Sequence, residues 1–111
     1  MAYDEQLASR IRDLVAGTAG LSEQKMFGGL AFLVGGNMAV AASGQGGLLV
    51  RVDPDQSADL VASTPATPME MRGREMAGWL RVEDADVAAD ADLAAWVERG
   101  LAYASSLPAK G

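Results

Sequence analysis

Glycine residues divide the apolar middle of the chain into three short runs. The runs lie at residues 25–34, 38–43 and 48–52, and the glycine-rich segments between them at 35–37 and 44–47. Short apolar runs joined by tight glycine turns predict an antiparallel meander, because hairpin turns need positive φ angles that glycine adopts without strain. Gly28 and Gly29 fall inside the first run, where we expect a bulge or a close pass of the backbone beneath a helix.

Helical patterns flank this meander. Residues 4–16 carry an amphipathic stripe behind an N-cap at Asp4, and Asp53 with Pro54 begins a short second helix. A longer stripe near the C-terminus consists of Leu93, Trp96, Val97, Leu101 and Ala104. Gly100 lies within that third helix, which we explain by a close contact between helix and sheet.

Two more strand-like runs complete the predicted fold. They lie at 69–72 and 77–82 around Gly73, whereas residues 18–24 and 64–68 are predicted to be loops. The predicted order of elements is α-βββ-α-ββ-α. This order indicates an α+β domain of two layers, in which an antiparallel sheet of about five strands is packed by helices on one face.

Alternation along the later strands separates two faces of this sheet. The face away from the helices carries Leu49, Arg51, Trp79 and Arg81. An exposed tryptophan with arginines beside a leucine has the composition of an interface centre. Sheets that bind single-stranded nucleic acid use similar residues, but the single tryptophan on this face and the net charge of −6 favour protein contact or self-association. We therefore predict a protein interface here and no direct binding of nucleic acid. The alternative is that these residues are ordinary surface or are covered by a loop.

The composition excludes the commonest kinds of catalysis. The chain has no cysteine and no histidine, so a thiol nucleophile, a histidine base and the usual zinc ligands are absent. The turn at 44–47 leads into a strand and lacks the geometry of a phosphate loop, and the acidic segment 83–92 lacks the spacing of a calcium loop. We expect no cofactor, no metal and no catalytic residue. The alternative is a small-molecule-binding domain, or a small enzyme that uses carboxylates or Lys25 near Gly28 and Gly29.

Two further features concern packing and location. Most of the six methionines fall in predicted strands, where we interpret them as core filler rather than as a binding surface. The N-terminus lacks the cationic start of a signal peptide, and no apolar run approaches the ~20 residues that span a bilayer. We expect a cytoplasmic protein without a membrane segment.

Motifs spread along the chain resemble those of one known family. They are Lys25-Met26-Phe27-Gly28-Gly29, the apolar run into Gly36-Asn37-Met38, Arg51-Val52 before Asp53-Pro54, Gly73-Arg74 through Met76 to Gly78-Trp79, and the closing helix from Trp96-Val97 to Leu107-Pro108. In this order they are similar to the TfoX (Sxy) N-terminal domain, and they cover nearly the whole chain.

The resemblance implies a secretion-chaperone-like α+β fold and no catalytic residues. Longer members of the family resemble bacterial regulators of natural competence, which act with a transcription activator and append a second, C-terminal domain. We therefore expect residues 1–111 to form a single stand-alone domain. Its expected function is non-catalytic and regulatory, with a partner protein such as a transcription factor, or a second copy of itself in a homodimer.

Overall fold

The computed structural model describes residues 3–26, 28–71 and 73–108 of the chain. The helices are α1 (Glu5–Val15), α2 (Ser57–Ser63) and α3 (Asp90–Ser106), and the strands are β1 (Leu21–Met26), β2 (Gly29–Val34), β3 (Asn37–Ala42), β4 (Leu48–Arg51), β5 (Thr67–Met71) and β6 (Arg74–Val82). The strands form one sheet in the order β1-β2-β3-β4-β6-β5, and all neighbours are antiparallel. The predicted α+β class and the predicted meander, now β2 to β4, are confirmed.

The helices pack together on one face of this sheet. Their buried residues join those of alternate strand positions in one core, whose most deeply buried members include Ile11, Phe32, Val50, Leu80 and Val97. The predicted helix-facing residues Leu48, Val50, Val52, Leu80 and Val82 all belong to this core. We call the opposite side of the sheet, where the described residues form no helix, the open face.

Strand β1 is the main departure from the predicted fold, because residues 18–24 were expected to form a loop. Each residue of β1 pairs with β2, which makes six strands instead of five. The four central residues of β1 are exposed and polar, so this edge strand has no apolar alternation by which it could be recognised. Its backbone pairing with β2 holds it in the sheet.

The turn between β1 and β2 corrects the expectation for Gly28 and Gly29. Gly28 lies in the turn between the two strands, and Gly29 is the first residue of β2, where it pairs with Met26. A Cβ on Gly29 would collide with the carbonyl oxygen of Ala42 and lie 3.1 Å from the amide nitrogen of Gly44. The close pass is therefore made by the end of β3, not by a helix. Phe27 lies outside the described residues.

The hairpin between β2 and β3 agrees with the prediction. Gly35 and Gly36 have φ angles of 60° and 83°, and Val34 pairs with Asn37 across them. Two consecutive positive φ angles define the turn type that matches the twist of antiparallel strands. The buried side chain of Asn37 donates a hydrogen bond of 2.9 Å to the carbonyl oxygen of Pro108, which fastens the segment after α3 to this hairpin.

The close contact expected at Gly100 is present and depends on a β-bulge. Phe32 pairs with Val40 and Leu33 with Met38, so Ala39 has no partner of its own in β2. A Cβ on Gly100 would lie 2.5 Å from the carbonyl oxygen of Ala39 and 2.8 Å from Cγ1 of Val40. Helix α3 can therefore approach β3 this closely only because residue 100 lacks a side chain.

Replacing Gly100 by alanine tests this contact. Alanine would normally favour a helix by about 1 kcal/mol, but here its methyl group must push α3 away from β3. We expect Gly100→Ala to lower the free energy of unfolding by about 1–3 kcal/mol, as overpacked cores do. Chemical denaturation measures this change. Ala95→Gly, at an exposed position of α3, measures the effect of the difference in helix propensity between alanine and glycine without the contact to β3. A more stable Gly100→Ala protein would contradict the close packing.

An ion pair joins β1 to the helix layer. Nε of Arg12 lies 2.7 Å from one carboxylate oxygen of Glu23, and Nη2 lies 3.0 Å from the other. These hydrogen bonds, with the attraction between the charges, lower the pKa of Glu23 and raise the pKa of Arg12. A lowered carboxyl pKa means that folding favours the ionised form.

The pair predicts a pH dependence of stability. Its contribution is fully present above the pKa of an unfolded glutamate, about 4.3, and is lost as the pH falls through the lowered pKa of folded Glu23. Glu23→Gln should therefore reduce the free energy of unfolding at pH 7 but not at a pH below both values. Urea denaturation at the two pH values measures this difference. Glu98→Gln, at an exposed position of α3, is the control for the loss of one negative charge, and equal effects of the two variants would contradict the prediction.

Candidate functional site

The four residues predicted for the open face form a compact square. Leu49 pairs with Arg81, and Arg51 pairs with Trp79, between β4 and β6. Directly opposed side chains share a face of the sheet, and diagonal neighbours such as Arg51 and Arg81 are about 7–8 Å apart in a regular sheet, with their Cβ atoms somewhat closer. All four are half-buried, so Trp79 is less exposed than the sequence suggested. We call these residues the β4–β6 square.

The square forms part of the floor of a groove of about 740 Å³. The two edge strands supply opposite walls: Gln24 and Met26 come from β1, and Met69 comes from β5. The groove therefore extends across the whole open face of the sheet.

Methionines line this groove, which corrects in part their interpretation as core filler. Met26, Met38, Met69 and Met76 border it and are not themselves buried, although Met26 and Met38 also pack against a small buried cluster of Ala31, Leu33 and Ala41. The sequence did not reveal this, because β2 and β3 are apolar on both faces and their composition does not show which side is open. Methionine is an adaptable side chain that is common at binding surfaces.

A kink in β6 shapes one wall. Gly78 has a φ of 86°, its amide donates to Oγ of Ser57 at 3.0 Å, and its carbonyl accepts from the amide of Val52 at 2.8 Å. The pairing with β5 is irregular at this point, where the register shifts between Pro68 and Glu70. The kink thus separates the part of β6 that pairs with both β4 and β5 from the part that pairs with β5 alone.

Arg81 holds the turn between β3 and β4. Its guanidinium donates to Oγ of Ser43 at 3.2 Å and to the carbonyl oxygens of Gln45 and Gly46 at 3.3 and 2.6 Å. The sequence does not predict this structural role of Arg81, because no local pattern connects residue 81 with residues 43–46.

Arg51 lies beside two aromatic rings. Its Cζ atom is 5.3 Å from the ring centroid of Trp79 and 5.7 Å from that of Tyr103 on α3. Both distances are typical of cation–π contacts. Tyr103 was not predicted as a site residue, because it lies outside the apolar stripe of α3 and reaches Arg51 only in the folded chain.

Lys25, the candidate catalytic residue if the protein were a small enzyme, does not line the groove. Lys25 pairs with Leu30, a core residue on the helix side, and so belongs to the face opposite the groove. Gly29 borders the groove but Lys25 does not. Glu70 and Glu75 pair across β5 and β6, and of these two only Glu70 lines the groove. Within residues 3–26, 28–71 and 73–108 no group of three or more acidic residues could hold a metal ion.

The fold and groove define a two-layer α+β domain whose sheet is packed by helices on one face and open on the other. The chain belongs to the TfoX N-terminal domain family, whose model matches residues 13–104. No curated protein matches the sequence. None of the helices in the described part of the chain is both long enough and apolar enough to cross a membrane.

The two arginines of the square should differ in their effect on stability. Arg81→Met removes charged donors from three oxygen acceptors and should lower the free energy of unfolding by about 1.5–3 kcal/mol. Arg51→Met removes cation–π contacts and should cost only about 0.5–1 kcal/mol. Chemical denaturation of both variants compares them. An Arg81 variant no less stable than the Arg51 variant would contradict the role assigned to Arg81 in the turn.

Proposed function

We propose that this protein is a non-catalytic, regulatory interaction domain of the cytoplasm that binds another protein through the groove of its open face. The observation that carries the proposal is the groove itself: its walls contain methionines, and its floor contains a leucine, a tryptophan and two arginines that are only half-buried. Tryptophan and arginine dominate the binding energy of protein interfaces. Apolar surface that a folded domain leaves in a groove is typical of an interaction site.

Membership of the TfoX N-terminal domain family supports a regulatory role without establishing it. On this proposal the partner is a protein of the transcription apparatus or a second copy of the chain. Either occupant would cover the same face, because the other face of the sheet is filled by the helices.

A matched pair of leucine substitutions tests the proposal. Leu49→Glu places a charge on the groove floor, whereas Leu14→Glu places the same charge on α1, where Leu14 is already 42% exposed. We expect the wild type and Leu14→Glu to capture the same partner, or to self-associate, and Leu49→Glu to weaken this by about tenfold or more. Affinity purification identifies the partner, and sedimentation velocity measures self-association.

A second groove variant guards against misfolding of the first. Met76 is 37% exposed on the groove wall, so Met76→Glu should preserve the fold and still weaken binding. Circular dichroism and thermal unfolding establish which variants are folded. If folded Leu49→Glu and Met76→Glu bind and self-associate as the Leu14→Glu control does, the groove is not the interface.

The second candidate is a binding site for a small molecule. The groove volume of about 740 Å³ falls within the range of roughly 300–1,000 Å³ that is usual for such sites. A thermal-shift screen with nucleotides and metabolites distinguishes this candidate. A compound that stabilises the wild type but not Met76→Glu would favour it over a protein partner.

A further inference from the structure

We propose that the groove selects an extended peptide segment that presents acidic side chains between apolar ones. The inference rests on the proposed function and names the chemistry of the partner. It starts from an imbalance of charge: the chain as a whole carries −6, yet the described residues that line the groove include Arg51, Arg81 and a single acid, Glu70.

Two arginines of α1 form ion pairs within the chain, whereas among the described residues the arginines of the groove form none. Arg10 lies 3.0 Å from Asp90, and Arg12 lies 2.7 Å from Glu23. Among the described residues, Arg51 and Arg81 form no such ion pair. Their charges are held by aromatic rings and by neutral oxygen atoms, so each can still gain from a carboxylate of a partner.

The positions of these two side chains are fixed before any partner arrives. The ring of Trp79 lies 5.3 Å from the Cζ atom of Arg51, and Arg81 makes its hydrogen bonds to the β3–β4 turn. Binding therefore costs little additional side-chain entropy. A guanidinium that stacks on an aromatic ring still has N–H groups in its own plane, and these can donate two parallel hydrogen bonds to a carboxylate.

The dimensions of the open face suit a short extended segment. Strands spaced about 4.8 Å apart make a six-stranded face about 24 Å wide, which about seven extended residues would cross. Alternate side chains of such a segment point to the same side. The acids would then face Arg51 and Arg81 on the floor, while apolar residues at the two ends of the segment would meet the methionines of the walls.

A peptide suits the groove better than a nucleic acid does. Nucleic acid binding depends on neutralising many phosphates, whereas this chain is acidic overall and places Glu70 in the groove. The groove also has only one tryptophan on which a base could stack. One or two carboxylates match the two arginines without the repulsion that a polyanion would meet.

The experiment uses designed peptides and a matched pair of arginine variants. Fluorescence anisotropy measures the binding of a labelled heptapeptide of alternating leucine and aspartate, and of the same peptide with lysine in place of aspartate. The variants are Arg51→Gln and Arg99→Gln. Arg99 is a close control because its Cζ atom also lies 5.3 Å from a tryptophan centroid, that of Trp96, but Arg99 does not line the groove.

We expect the acidic peptide to bind the wild type at least about tenfold more tightly than the basic one, and Arg51→Gln to remove most of this preference. Arg99→Gln should bind both peptides as the wild type does. Affinity for the acidic peptide should also fall with added salt, because charge pairs at an open groove are screened.

Three results would overturn the inference: no measurable binding of the acidic peptide, equal binding of both peptides, or equal effects of Arg51→Gln and Arg99→Gln. Preferential binding of a single-stranded oligonucleotide would also overturn it. None of these results decides whether the groove is an interface at all. That question is answered separately by comparing Leu49→Glu with Leu14→Glu, so the two proposals can fail independently.

Discussion

The close packing of α3 against the sheet at Gly100 is the contact on which the rest of the structure depends. Because residue 100 has no side chain, the helix lies directly against the bulge at Ala39 and buries Trp96 and Val97 in the core. Overpacking at such a contact would displace the whole helix rather than one side chain. This face of the sheet is thereby filled, and any binding surface that the sheet offers must lie on the other.

The same strands serve both sides, since successive side chains alternate between the faces. On β4, Leu48 and Val50 are fully buried beneath the helices, while Leu49 and Arg51 contribute to the groove. A one-residue shift of register would exchange these sets and bury Arg51. The pairing that stabilises the core is therefore also what assembles the groove, so a change of register would alter both.

Sequence patterns predicted the elements whose signals are local. The N-cap at Asp4 is present, and Asp53 caps a 3₁₀ turn at Pro54–Gln56 that leads into α2, because capping depends on neighbouring backbone amides. The hairpin at Gly35 and Gly36 follows from the conformational freedom of two adjacent glycines. The common face of the β4–β6 square was also predicted, since alternation along each strand fixes which residues point the same way.

Local sequence patterns did not predict the contacts between distant parts of the chain. Strand β1 consists largely of polar, exposed residues, and only its backbone pairing with β2 defines it. The methionines were assigned to the core because apolar composition does not show which face the helices will cover.

The sequence alone thus determined the helices, most strands and the division of the residues of β4 and β6 between two faces, because each depends on chemistry within a few residues. Only the tertiary structure decided that one face stays open as a groove and that Tyr103 reaches Arg51. It also decided that Arg81 holds the turn between β3 and β4. The nearest acceptor of Arg81 there is the carbonyl oxygen of Gly46, 35 residues earlier in the chain. These features depend on how α3 and the six strands pack together, and packing is a property of the whole chain.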